Sequence, residues 1–344
     1  MARSYVEARF EAGTAPGTEL AIASAFGAKT IYFPAASFEH NQNPSPLNRN
    51  DEMRGVNEPL RTFQEFFEPD WKMSLRMYPD SLAFLLKAHL GAPVTTAGNG
   101  VITDADAVVI PAGAFRHVWD APYAVGTTPQ TCAFRVGDPD DAMFYEVRGA
   151  TVEKLSIKMP NSGGGQIDVS GKANYITQIA DPVLTPAYES LAIAPFMYSH
   201  AGLTWLTGSG LCDTIGVDID KNVDHQRTFG GGSKWPNLVE HGDGVVTING
   251  DFTARRIDVD DWNAMIADTR FTALLKWIHT AIIATAYPYK VYVQAPNTSA
   301  QLVSGGPAAL TNTKRTPASW NFQFTRDAAQ SCSISVINAT AAYV

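Results

Sequence analysis

Strict two-residue alternation of apolar and polar side chains restricts this chain more than any other feature. From Trp71 to Tyr78, residues Trp71, Met73, Leu75 and Met77 face one way, and Lys72, Ser74 and Arg76 face the other. The pattern returns in Leu155–Met159, Gln166–Tyr175, Trp320–Thr325 and Ser331–Asn338. A segment with this period is a strand with one face in a core and the other toward water. Further strands are expected at Thr131–Val136, Phe144–Arg148, Val246–Arg255 and Tyr289–Val293. The glycines in Asn161-Ser162-Gly163-Gly164-Gly165 supply the positive φ of a hairpin turn between Leu155–Met159 and Gln166–Tyr175. No Lys-Ser/Thr follows them, so they are not a phosphate-cradling loop.

Helical signals are few. Pro79 and Gly91 bracket a helix over about Asp80 to Leu90, with Leu82, Leu85, Leu86 and Leu90 as its apolar stripe. The apolar stretch Ala273 to Tyr287 reads as a second helix, too short to span a bilayer and interrupted by Lys276 and His279. Asp258, Asp260 and Asp261 read as capping and dipole partners of that helix.

The chain has 344 residues, enough for roughly two domains of ordinary size. Charged residues are only 17%, which suggests a surface partly covered by neighbouring subunits. The net charge of −8 does not attract phosphate backbones, so stable nucleic-acid binding is not expected. Cys132, Cys212 and Cys332 lie far apart without a CxxC pair, and read as buried free thiols rather than a disulfide or zinc framework. Met1 to Gly13 carries charges and lacks the apolar run of a signal peptide, so synthesis in a cytoplasm is expected.

An internal repeat organises the chain. Thr30-Ile31, a long polar loop, a strand and a helix with Leu85-Leu86-Lys87 are followed at nearly equal spacing by Thr214-Ile215, a Gly-rich loop, a strand and Leu274-Leu275-Lys276. Strands close each copy, the second through a terminal hairpin turning at Asp327-Ala328-Ala329-Gln330. The reading is an irregular arm at 1–28, a first unit at 29–178, a connector at 179–200 and a second unit at 201–344. The long loops are His40 to Pro59 and Lys221 to Asp243. Loops of that length are functional or mobile.

No metalloprotease, nucleophile-elbow, Walker or dinucleotide motif occurs. Asp138, Asp140 and Asp141 lack an EF-hand glutamate and read as an Asp-Pro turn. Asp224, His225 and His241 are the best metal candidates, and solvated loop residues are the favoured reading. No cofactor, catalytic residue or metal site is assigned, and the chain is read as not an enzyme.

The run from Phe66 to Gly91, in which Asp70-Trp71-Lys72-Met73-Ser74-Leu75-Arg76 leads through Pro79 into Leu85-Leu86 and Gly91, resembles tail tube proteins of long-tailed bacteriophages. Tyr145 to Tyr175 is similar to that family's hairpin after the helix, and Asp251–Trp262 also fits. The resemblance spans roughly 25 to 340 and rests on element order. It implies a mainly β fold of duplicated β-sandwich domains, each with one packed helix, whose inner sheets form a closed barrel in the oligomer. It also implies a structural virion protein that polymerises into stacked rings around a conduit for DNA. Its partners would be copies of itself, tape measure, tail tip and tail terminator proteins, with DNA passing unbound and no membrane. Two domains imply a trimeric, pseudo-sixfold ring, with a hexamer carrying an added domain as the alternative. The candidates for ring-to-ring contact in the long loops are Asn43, Arg49, Arg54, Arg227, Lys234 and Trp235. From other classes, a secreted or surface β-sandwich binding module and a polysaccharide-active enzyme with paired carboxylates are the competing readings.

Overall fold

The computed structural model describes residues 5–10, 31–47, 63–120, 130–138, 142–182, 193–206, 208–209, 212–226, 236, 238–254, 259–307, 318–325 and 332–342. The fold is mainly β, with two α-helices among the described residues. The first half runs β1 (Tyr5–Phe10), β2 (Ile31–Phe33), β3 (Ala35–Asn41), β4 (Pro44–Leu47), β5 (Phe63–Phe67), β6 (Asp70–Arg76) and α1 (Pro79–Leu90). It continues with β7 (Val94–Ala97), β8 (Phe115–Asp120), β9 (Cys132–Asp138), β10 (Met143–Ala150), β11 (Lys154–Met159), β12 (Gln166–Lys172) and β13 (Tyr175–Gln178). The second half runs β14 (Ala201–Trp205), β15 (Gly208–Ser209), β16 (Cys212–Gln226), β17 (Leu238–Ala254), α2 (Val259–Ile266), β18 (Arg270–Ala284), β19 (Tyr287–Pro307), β20 (Ala318–Phe324) and β21 (Ser333–Asn338).

Alternation sets the strand faces as expected. In β6, Trp71, Met73 and Leu75 are buried while Asp70, Lys72 and Arg76 are exposed. The β11–β12 hairpin pairs Ser156 with Asp168 and Ile157 with Ile167, and its turn takes Gly163 through φ +84°. Helix α1 starts at Pro79 and stops at Gly91, whose φ of 90° suits glycine.

The halves repeat strand for strand. In the first, one sheet has the order β13-β10-β9-β1-β2, and the facing strands have the order β11-β12-β6-β3. In the second, β19 bends between Ala295 and Ala300, where it takes extra residues against β18 and Thr298 adopts φ 57°. Its first part pairs with β18 and β21, and its last part with β20. With β19 counted as two strands, the orders become β21-β19-β18-β14-β15 and β19-β20-β17-β16. Each element thus has a counterpart: β1 matches β14, β3 matches β16, β6 matches β17, α1 matches α2, and β11 and β12 match the end of β19 and β20. The hairpin β4–β5 and the strands β7 and β8 are insertions. The latter two cross to the second half, where β8 pairs with β21.

Four expectations are corrected. Ala273 to Tyr287 is not a helix: most of it lies in β18, and the second helix is α2, fifteen residues earlier in the repeat's own order than Leu274-Leu275-Lys276 implies (Val259 against Leu274). The terminal hairpin is absent, because β20 and β21 lie end to end along β19 instead of pairing with each other. The segment 1–28 is not simply an irregular arm, since β1 sits between β9 and β2 in the five-stranded sheet. Finally, much of both long loops is strand. Pro44–Leu47 pairs with Phe63–Phe67, and β16 and β17 remain paired out to Gln226 and Leu238.

Candidate functional site

The inner strands of the two halves are one continuous sheet. Strand β11 of the first half pairs with β16 of the second from Lys154↔Asp220 to Met159↔Ile215. The inner order across the molecule is therefore β3-β6-β12-β11-β16-β17-β20-β19. One face of this sheet is the core, where Trp71, Leu155, Ile167, Val217, Ile219, Phe252, Trp320 and Phe322 are buried.

The other face is polar from end to end. One row reads Ser37, Ser74, Asp168, Ser156, Asp218, Asn249, Gln323 and Gln301, as successive register partners. Lys72 contacts Glu39 at 2.7 Å, Lys158 contacts Asp168 at 3.5 Å, and Lys154 reaches Asp220 at 3.8 Å across the junction. These exposed pairs add little stability but keep the face hydrated. Burial pushes the Asp168 carboxyl up, but hydrogen bonds from Ser74 and Gln166 and the charge of Lys158 outweigh it and leave its pKa below the usual value. Partial burial and the nearby Asp218 raise Asp251 instead. Among the described residues of this face, the cations Lys72, Arg76, Lys154 and Lys158 lie in the first half, with Glu39 and Asp168 among them, whereas Asp218, Asp220 and Asp251 lie in the second.

The sheet ends in two edges. Strand β3 pairs with β6 on one side, and among the described residues the path stops there; Ala36, Ser37, Glu39 and Asn41 are exposed. At the other end, among the described residues, Leu302–Pro307 pairs with β20 on one side only, because β18 begins at Arg270 opposite Gln301. Val303, Ser304 and Gly305 are exposed there. Open edges of this kind are templates for another chain.

Of the candidate contact residues, Asn43 lies at the corner from β3 to β4. Its φ is 42°, and its side-chain amide donates to the Glu68 carbonyl at 3.0 Å. Arg49, Arg54, Arg227, Lys234 and Trp235 lie outside the described residues, as do Asp140 and Asp141. The connections that carry these candidates, β3 to β6 and β16 to β17, are counterparts in the repeat. His225 is not a solvated loop residue. Its ring meets Thr151 Oγ1 at 2.8 Å and Asn174 Oδ1 at 3.0 Å, and burial lowers its pKa to about 4. Among the described residues no group of three His, Cys, Asp or Glu is placed to hold a metal. All three cysteines are buried and unpaired with one another, and burial pushes the Cys212 thiol up to about 12.

Two buried polar clusters escaped the sequence reading. In the five-stranded sheet, Arg148 contacts Glu146 at 2.7 Å and Arg135 reaches the same oxygen at 3.3 Å. On the second half, Asp104 accepts hydrogen bonds from Tyr287 and Lys290, while Asp106 accepts from Tyr292 at 2.9 Å and Lys276 at 2.8 Å. This clamps the loop before β8 onto β18 and β19. The Asp104–Asp106 cluster has no local sequence signature, because its partners lie far away in the chain on β18 and β19.

A sequence model of the family described as phage tail tube protein matches residues 8–324. No curated protein matches the chain.

Proposed function

The chain belongs to the phage tail tube protein family, and we propose that three copies close into a ring by pairing the end of β19 in one copy with β3 in the next. The family makes the chain a structural subunit of the virion tail that assembles with itself into a tube. The observation that carries the ring geometry is the internal β11–β16 junction. The end of β19 is the counterpart of β11, and β3 is the counterpart of β16, so the chain contains one copy of the contact it would repeat between subunits. A heterologous contact of this kind generates a closed ring when its rotation closes, and a closed ring leaves no sheet edge open.

In this reading the units at 29–178, together with β1, and at 201–344 act as tandem tube domains joined by 179–200. Three chains supply six domains. The continuous polar face lines the lumen, where hydrated, mixed charges let DNA slide without holding it. The two equivalent connections lie on one rim, so Asn43, Arg49, Arg54, Arg227, Lys234 and Trp235 would meet the next ring. Growth around a tape measure protein, from tail tip to terminator, takes place in the host cytoplasm. The protein acts by assembly and not by catalysis. The family match favours this over a secreted or surface binding module. Negative-stain electron microscopy with native mass spectrometry tests the stoichiometry: rings of sixfold appearance should weigh three times 37.2 kDa. Rings of six chains would replace the trimer with the hexameric alternative.

A further inference from the structure

Helix α1 is buried on nearly every side. Leu82, Ala83, Phe84, Leu85, Leu86, Ala88 and His89 are all shielded from solvent. On its own half, Phe84 stacks on Phe10 at 4.2 Å and meets Phe33 edge-on at 5.5 Å. It is also held by the second half. Asp80 accepts hydrogen bonds from Asn338 at 2.8 Å and Thr340 at 3.1 Å, and Lys221 donates to the His89 carbonyl at 3.0 Å. The helix also touches β21 and β19. It therefore lies over the junction where β11 meets β16 and seals it.

Helix α2 holds the counterpart position on the second half, but among the described residues only one side of it is covered. Asp261 is buried and accepts from the Trp205 indole at 3.1 Å, which fixes the helix on β14. Trp262 reaches over Gly306 at the end of β19 and meets Trp320 edge-on at 6.4 Å. Even so, Trp262 is 41% exposed, Ile266 is 66% exposed, and Val303 beside the open edge is 50% exposed. At the opposite end of the molecule, next to β3, an apolar groove of about 340 Å³ is lined by Phe33, Phe38, Val136, Met143 and Tyr145. Met143 is 48% exposed. Two of these residues lie on β10, which with β13 is the counterpart of the β19–β21 surface that α1 touches.

We propose that the open face of α2 is the seat of a second copy of this chain. Trp262 and Ile266, with Val303, dock against β10, β13 and the groove beside β3 in the next subunit, as α1 docks against the second half within the chain. This rests on the ring reading, because it takes the β19–β3 contact as the axis of the interface, but it assigns different residues and fails separately. The occupant follows from the repeat: the surface that covers α1 is present once more, unoccupied, at the far end of the same molecule. Exposed apolar groups at the centre of such an interface carry much of its energy.

The test compares assembly of the full-length wild type with Ile266→Asp, Met143→Lys and the control Val101→Asp, by sedimentation and electron microscopy. Val101 is 77% exposed and belongs to the insertion before β8, to neither α2 nor the groove beside β3. Ile266→Asp and Met143→Lys should each raise the concentration needed for half-assembly about tenfold or more. Their monomers should melt like the wild type, and Ile266→Leu and Val101→Asp should assemble normally. If Ile266→Asp assembles as the wild type does, something other than a second copy covers α2, and the inference falls while the ring stands. If the wild type forms no ring or tube at any concentration or with a tip complex, both fall together.

Discussion

At the scale of single residues, the interior holds histidines in their neutral form. His89 is fully enclosed, with Nδ1 at 2.8 Å from the Val152 carbonyl, and burial lowers its pKa to about 4. His225 is held at the same level by burial, between Thr151 and Asn174. A histidine with an ordinary pKa near 6.5 when unfolded and about 4 when folded binds its proton mainly in the unfolded state as pH falls. The stability this contributes is complete above pH 6.5 and is lost progressively toward pH 4. Each such group accounts for at most roughly 3 kcal/mol. Urea unfolding of the monomer between pH 7 and 4 should therefore show a fall in stability, and His225→Gln should flatten part of it. An unchanged slope in that variant would remove His225 from the account.

At the scale of elements, the insertion before β8 explains both a stabilising feature and a misreading. Its Asp104 and Asp106 engage Tyr287, Lys290, Tyr292 and Lys276, and Ile102 and Ile110 pack with Leu274, Tyr292 and Ile283. Asp104→Ala takes the carboxylate from a buried lysine and should cost about 3–5 kcal/mol. Limited proteolysis should then cut within 98–113, while the wild type resists there. Equal resistance would show that the clamp contributes nothing. Because the insertion covers the outer side of β18, that strand carries apolar residues on both faces. Phe271, Ala273, Leu275 and Trp277 point into the sandwich, and Leu274 packs under the insertion. A strand covered on both sides loses its alternation and resembles a helix in sequence. By contrast β6, β11, β12 and β20 have one wet face, and their boundaries were legible to within three residues, the widest gap being the end of β12 at Lys172 rather than Tyr175. The order of the repeat was legible too, but its true helix was not. Val259–Ile266 spans only about two turns, too few residues for helical periodicity to stand out from its neighbours. The junction of β11 with β16 and the two open edges have no local signature at all. They follow from pairing between strands distant in the chain.

At the scale of the whole molecule, two equivalent units joined edge to edge make an object that is complete on one side of each unit and open on the other. The internal junction also fixes the register of the missing one. Lys158 pairs with Gly216 and Ser156 with Asp218. The bulge before Ser37 in β3 and the bulge before Thr214 in β16 are the same feature, so Ser37 matches Thr214 and Ser74 matches Thr253. Following these counterparts through β12 and β20, Gly306 takes the place of Ser156 and Asn41 that of Asp218, and Ser304 takes the place of Lys154 and Asn43 that of Asp220. Ser304 of one copy should then lie directly opposite Asn43 of the next. Opposed residues of antiparallel strands have Cα atoms about 4.5–5.5 Å apart, within reach of a disulfide. The native thiols are buried and do not compete. The most direct measurement is oxidation of assembled rings or tubes carrying both Ser304→Cys and Asn43→Cys, followed by a non-reducing gel. The account predicts chains linked into dimers and trimers, with each single variant remaining monomeric on the gel. Tubes that form normally but yield no link between positions 43 and 304 would contradict it.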